Sequence, residues 1–142
     1  MGVDFTTIVV NNLERLKLHK LSRNFRRSEF ACKCGCGFAT ADNELIEVLE
    51  MVRASFKMPV TINSGCRCLE HNEKVQKLNN VDYVPYSSKT KHMQGIAADI
   101  VVEGVEANVV YEFLCNYQPS RYGIGNYVKF THIDVRSIKA RW

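Results

Sequence analysis

The sequence predicts an α+β fold in one domain, a small antiparallel sheet flanked by helices. The chain has 142 residues, and separate cores usually need more than about 150 residues between them. Two windows carry apolar residues at helical spacing, which marks amphipathic helices. Short apolar runs bounded by Gly, Pro or Ser lie among them without any repeat, which mixes strands with helices. The domain is taken as residues 1–142, with 1–20 as an N-terminal extension of the same unit.

Along the chain, residues 11–27 are rich in Arg and Lys, with Leu13, Leu16, Leu18 and Leu21 interspersed. This reads as a solvated basic face, and a polyanion-docking face is the sharper alternative. The clearest helix is predicted over about 41–56. Thr40 or Asp42 can cap it, Glu44 and Glu47 suit the positive end of its dipole, and Leu45, Val48, Leu49, Val52 and Phe56 form one stripe. Pro59 blocks its continuation. Residues 60–63 read as a short strand ended by Ser64-Gly65. A short polar helix follows over 69–78, then a loop over 79–91 containing Pro85. Residues 96–102 have strand length. A second amphipathic helix is predicted over 105–117, with Val105, Val109, Val110 and Phe113 on one side. Gly123 and Gly125 are expected to turn the chain before a last strand over 127–136.

Composition narrows the function classes. Apolar residues make up 46%, ordinary for a globular protein, and no run approaches the ~20 apolar residues of a membrane span. Residues 1–12 carry Asp4 and no basic head, so a standard secretory signal is not expected. The net charge of +4 mildly favours anionic partners such as nucleic acid or acidic cell-wall polymer.

The chemistry concentrates at His92, Asp99 and His132. On the last predicted strand, alternation puts Phe130, His132, Asp134 and Arg136 on one face and Thr131, Ile133 and Val135 on the other, apolar face. Asp99 sits inside an apolar run, and an acid there is costly to bury unless paired or metal-bound. If the two strands are neighbours, His92, Asp99 and His132 converge. Two imidazoles and one carboxylate suit zinc and leave a fourth position for water, whose pKa the ion lowers. Asp134 is placed to accept the water's proton or to orient a ligand histidine. The plainer alternative makes His92 a surface loop residue and Asp99 a strand-end cap.

Several ordered motifs then carry a resemblance: Ser64-Gly65-Cys66-Arg67-Cys68, His71-Asn72, Thr90-Lys91-His92-Met93-Gln94-Gly95-Ile96-Ala97-Ala98-Asp99, and Phe130-Thr131-His132-Ile133-Asp134-Val135-Arg136. Together they resemble the zinc D-alanyl-D-alanine carboxypeptidase family, in its phage and prophage branch of cell-wall peptidases, which is similar in fold to the signalling domain of hedgehog proteins. Leu21-Ser22-Arg23-Asn24-Phe25, Ser28-Glu29-Phe30 and the closing Arg141-Trp142 look like that branch too. The resemblance implies that His92, Asp99 and His132 are zinc ligands, and that Arg67 binds the scissile carbonyl or its oxyanion, a role suited to a permanently charged guanidinium. Thr90 stands where the family usually has serine and keeps a hydroxyl for substrate.

There are departures. Many relatives carry an acid or histidine two or three residues before the last ligand as general base; here those positions hold Phe130 and Lys129, so Asp134 is the remaining candidate. Cys66 stands where relatives often have tyrosine, and the polar segment 78–91 is longer than usual.

The six cysteines include Cys32, Cys34, Cys36, Cys66 and Cys68 in two tight groups. These could meet around a structural zinc, but a knuckle usually has two residues between its cysteines and here there is one. Free buried thiols are therefore expected rather than a second zinc or a disulfide, with Cys115 a core residue. The implied activity is that of a zinc metallopeptidase hydrolysing peptidoglycan stem peptides, as carboxypeptidase or endolysin-type endopeptidase, using one catalytic zinc. It is expected to be a monomer unless part of a virion, acting from a phage virion or from host cytoplasm with release to the cell wall. A non-catalytic virion or cell-wall-binding module is the alternative. A nucleic-acid partner is not expected, because no nucleic-acid motif is present.

Overall fold

The computed structural model describes residues 18–79 and 90–142. The 1–17 part of the N-terminal extension, which includes residues 11–17 of the basic stretch, and residues 80–89 of the expected loop lie outside these.

Helix α1 spans Asn43–Phe56. Of the two proposed caps, Asp42 does the work: its carboxylate accepts the backbone N–H groups of Glu44 (2.8 Å) and Leu45 (3.4 Å), satisfying donors that no helical carbonyl can reach. The helix ends at Lys57, which turns left-handed at φ 56°, two residues before Pro59. Its buried stripe is Leu45, Ile46, Val48, Leu49 and Val52. Strand β1 spans Val60–Ser64, helix α2 Leu69–Asn79, strand β2 Ala97–Val102 and helix α3 Ala107–Tyr117. On α3 the buried residues are Val110 and Leu114. Val109, expected on the buried side, is 45% exposed: at 100° per residue it cannot share a narrow face with both.

The end of the chain departs from expectation. Gly123–Asn126 is a strand, β3, and not a turn; Thr131–Asp134 is β4 and Ala140–Arg141 is β5. The residues expected to begin one long strand instead form the hairpin connection, in which the N–H of Tyr127 donates to the carbonyl of Phe130 (3.2 Å) and their rings stack at 4.4 Å. The glycines of β3 provide room rather than a bend. A Cβ on Gly123 would lie 2.6 Å from Arg136 Nε, and one on Gly125 would lie 2.6 Å from Trp142 Nε1.

The strands form one sheet in the order β1-β2-β4-β3-β5. Its main strands are antiparallel as expected, and the short edge strand β5 adds a parallel pair with β3. Thus the fold is α+β with a mixed five-stranded sheet. One face, carrying Ile62, Ile100, Ile124 and Ile133, packs with Leu45, Leu49, Leu114, Phe25 and Phe30 into a continuous core. Truncating such a leucine to alanine costs about 2–5 kcal/mol. The register matters most for the other face: Ser64 pairs with Asp99, Asp99 with His132, and His132 with Gly125. One row across the sheet therefore holds an acid beside an imidazole, with a side-chain-free position next to it.

Candidate functional site

The site grows from that row. Asp99 Oδ1 lies 2.9 Å from His132 Nδ1 and 3.4 Å from His92 Nε2. His92 comes from the 3₁₀ turn Lys91–Gln94 that precedes β2. Its Nδ1–H donates to the carbonyl of Gly65 (2.7 Å), and because a carbonyl can only accept, this leaves Nε2 as the lone-pair nitrogen facing Asp99. The N–H of Arg67 donates in turn to the carbonyl of His92 (3.1 Å), so the β1–α2 connection and the 3₁₀ turn brace each other.

His132 is held from the far side. Its Nε2–H donates to Asp134 Oδ2 (2.8 Å). Asp134 is completely buried and also receives Arg136 Nε and Nη2, each at 2.7 Å, and the N–H of Gly123 at 3.2 Å. Burial alone would raise its carboxyl, but hydrogen bonds from Arg136 and His132 outweigh burial and hold it well below the usual range. Burial likewise acts to raise Asp99, and the two imidazoles more than reverse it. For His132 burial lowers the pKa, and Asp134 and Asp99 turn the net shift upward.

The donor atoms of His92, Asp99 and His132 all lie within 4.8 Å of one another, and each residue is buried. Zinc bonds of ~2.0–2.1 Å in a tetrahedron separate neighbouring donors by about 3.4 Å, a span close to the 2.9 and 3.4 Å found between Asp99 and the imidazoles. The donor set also has the outer hydrogen bonds that metal-binding histidines use: a carbonyl behind His92 and a carboxylate behind His132. These residues fit one zinc ion.

Arg67 stands beside the three, its Nη2 3.4 Å from Asp99 Oδ2 and its Nε 3.2 Å from Ser64 Oγ. Burial lowers its pKa while Asp99 opposes the shift; the group stays cationic. Thr90 is at the cleft wall, but its hydroxyl donates to Asn72 Oδ1 at 2.8 Å. The cleft encloses about 640 Å³ and is bordered also by Lys91, Tyr127, Phe130 and Trp142.

A family model described as Peptidase M15 matches residues 23–134. The chain belongs to the peptidase M15 family. No curated protein and no solved structure matches it. Peptidases of this family are zinc-dependent, and the matched span contains the whole His92/Asp99/His132 group. This M15 chain therefore has a peptide as its substrate class and a site that could hold one metal ion.

Some participants went without a role in the sequence reading. Trp142 is the single tryptophan of the chain. Its ring lies 5.1 Å from that of His132 and 5.4 Å from the Arg136 guanidinium carbon, and its Nε1–H donates to the Tyr127 hydroxyl (2.9 Å). Only the β3–β5 pairing returns it to the cleft. Arg136 shared a strand face with Asp134, which was the available signal for their pairing. Asn72 sits in the His71-Asn72 motif without any local hint that it meets Thr90.

The cysteines also depart from expectation. All six are free, but only Cys32 and Cys66 are buried, and Cys34 and Cys36 are exposed. The Cys66 thiol donates to the carbonyl of Phe38 (3.1 Å). Cys115 is half-buried against the core. Cys32, Cys34, Cys36 and Cys68 gather in one group, their sulfurs within 4.8 Å of one another, despite the single-residue spacing that argued against it.

Proposed function

We propose that this chain is a zinc peptidase that hydrolyses peptide bonds of bacterial peptidoglycan stem peptides, as a D-Ala-D-Ala carboxypeptidase or an endolysin-type endopeptidase. The observation that carries this reading is the convergence of His92, Asp99 and His132 on the floor of a cleft with a half-buried arginine at its side. These three residues would hold a zinc ion, which would supply a Lewis acid able to acidify water and polarise a carbonyl. Arg67 binds the substrate carbonyl and stabilises the negative charge that develops on its oxygen, with its fork preset by Ser64 and Asp99. Lys91 and Arg67 favour the carboxylates of a stem peptide, and Tyr127, Phe130 and Trp142 offer apolar surface to small side chains. Thr90 contributes a hydroxyl oriented by Asn72.

Asp134 serves as a positioning residue in this scheme. Its oxygens have no exposure and are taken up by Arg136, His132 and Gly123, so they hold the Nε2 proton of His132 and fix that ring. The shuttle role considered from sequence would need an oxygen open to the cleft. Among the described residues bordering the cleft, Asp99 is the one carboxylate.

Having no second carboxylate among the described cleft residues is what favours the rival reading, a cell-wall-binding or virion module that keeps the fold and metal without turnover. Incubating the purified protein with peptidoglycan, with and without chelator, separates the two. The peptidase reading expects new free amino groups or released alanine that disappear on chelation and return with zinc. Zinc bound at the centre with no product released from intact walls or soluble stem peptides overturns it.

A further inference from the structure

Away from the cleft floor, four sulfurs meet where the chain before α1 touches the start of α2. Cys32 Sγ lies 3.4 Å from Cys34 Sγ and 3.7 Å from Cys68 Sγ, and Cys34 Sγ lies 3.6 Å from Cys68 Sγ; Cys36 completes the group within 4.8 Å. Zinc–sulfur bonds of ~2.3 Å in a tetrahedron place neighbouring sulfurs about 3.8 Å apart. These sulfurs are therefore spaced for a single ion, too close together to surround a multi-iron cluster.

Backbone donors point the same way. The N–H of Phe38 donates to Cys36 Sγ (3.5 Å), that of Cys68 to Cys32 Sγ (3.4 Å), and that of His71 to Cys68 Sγ (3.4 Å). Amide donors aimed at sulfur stabilise thiolate, the form that binds metal. The single-residue spacing is accommodated by backbone conformation: Gly35 and Gly37 take φ of 82° and 89°, turning the chain tightly enough to aim successive cysteines inward. Cys34 and Cys36 are exposed, so packing in a core does not account for their gathering.

We infer that Cys32, Cys34, Cys36 and Cys68 bind one structural zinc ion, which clips the amino-terminal turn to α2 and braces the segment that carries Arg67. The site is closed, with four protein ligands and no open position, the arrangement of a structural rather than a catalytic ion. It lies one residue from Arg67, and two residues before Arg67 stands Gly65, whose carbonyl holds His92. The ion therefore reaches the cleft through the backbone of residues 65–68.

This inference does not rest on the peptidase reading, and its test is made independent of it. Full-length His92→Ala, purified under reducing conditions, is analysed for zinc and iron. About one zinc per chain is expected to remain. Adding Cys36→Ser to that background removes it, whereas adding Cys115→Ser does not. To cover the case that Cys36→Ser fails to fold, cobalt is titrated into His92→Ala alone; strong near-ultraviolet thiolate-to-cobalt absorption is expected. In the otherwise native chain, Cys36→Ser is expected to lose about one zinc per chain. Zinc absent from folded His92→Ala, iron in its place, unchanged zinc after Cys36→Ser, or cobalt binding without thiolate absorption would each overturn the inference.

Discussion

The two clusters of potential ligands are built by opposite means. The histidine–aspartate centre stands mainly on the sheet, which carries Asp99 and His132, while His92 enters from the 3₁₀ turn before β2. Strand register sets Asp99 against His132, and each side chain is buried and gripped from behind by a named group: Gly65 for His92, Asp134 for His132, Arg67 for Asp99. The cysteine group stands on turns, half of it exposed, with its sulfurs aimed by left-handed glycines and backbone N–H groups. Rigid strands suit a site that must keep one face open to substrate, because the protein supplies only three donors and the scaffold must hold their geometry. Turns suffice for a closed site, because four ligand bonds to an ion themselves order the loop.

The sharpest way to break this contrast is to remove a ligand from the sheet. His132→Ala is expected to bring peptidase activity to background, in a peptidoglycan release assay, while the fold, read by circular dichroism, survives. If activity persists, the sheet centre is not the reactive one. Next in size is Arg67→Ala, expected to lower kcat about 10²–10³-fold with the zinc content unchanged. Arg67→Lys should recover little of this, since a point charge lacks the fork.

Asp134→Asn probes the support behind the sheet site. An orienting role expects zinc affinity to fall by about 10–100-fold, with turnover largely restored at saturating zinc. Turnover lost with zinc affinity intact would return Asp134 to the role of proton acceptor. The smallest effect concerns acid stability. Asp134 has a native pKa below its unfolded value, so it contributes stability above about pH 4 that is lost as pH falls through the lower native value. Arg136→Ala removes its main donor. It should lower stability near neutral pH by roughly 2–3 kcal/mol and move the acid-unfolding midpoint to higher pH. An unmoved midpoint in the acid titration would show that Arg136 does not sustain the carboxylate.

Much of this was readable along the chain. The α1 stripe from Leu45 to Val52, the strand around Asp99 and the alternation around His132 all follow from local periodicity, which backbone geometry enforces residue by residue. Where local pattern misled, a tertiary neighbour was the cause. Gly123 and Gly125 look like a turn, yet they are strand positions kept bare because the Asp134–Arg136 pair and Trp142 lie over them. Val109 fits an apolar stripe, yet the sheet selects the face of Val110 and Leu114.

The sequence by itself determined the residue types of both clusters, the fold class and the ladder of apolar positions that forms the core. Tertiary structure alone decided which groups meet. The pairing of β2 with β4 makes His132 the neighbour of Asp99, the β3–β5 pairing brings Trp142 over the cleft, and left-handed glycines fold Cys34 and Cys36 onto Cys68. Spacing along a chain limits how far apart two groups can be, but proximity in space depends on strand register and turn direction, which no single segment specifies.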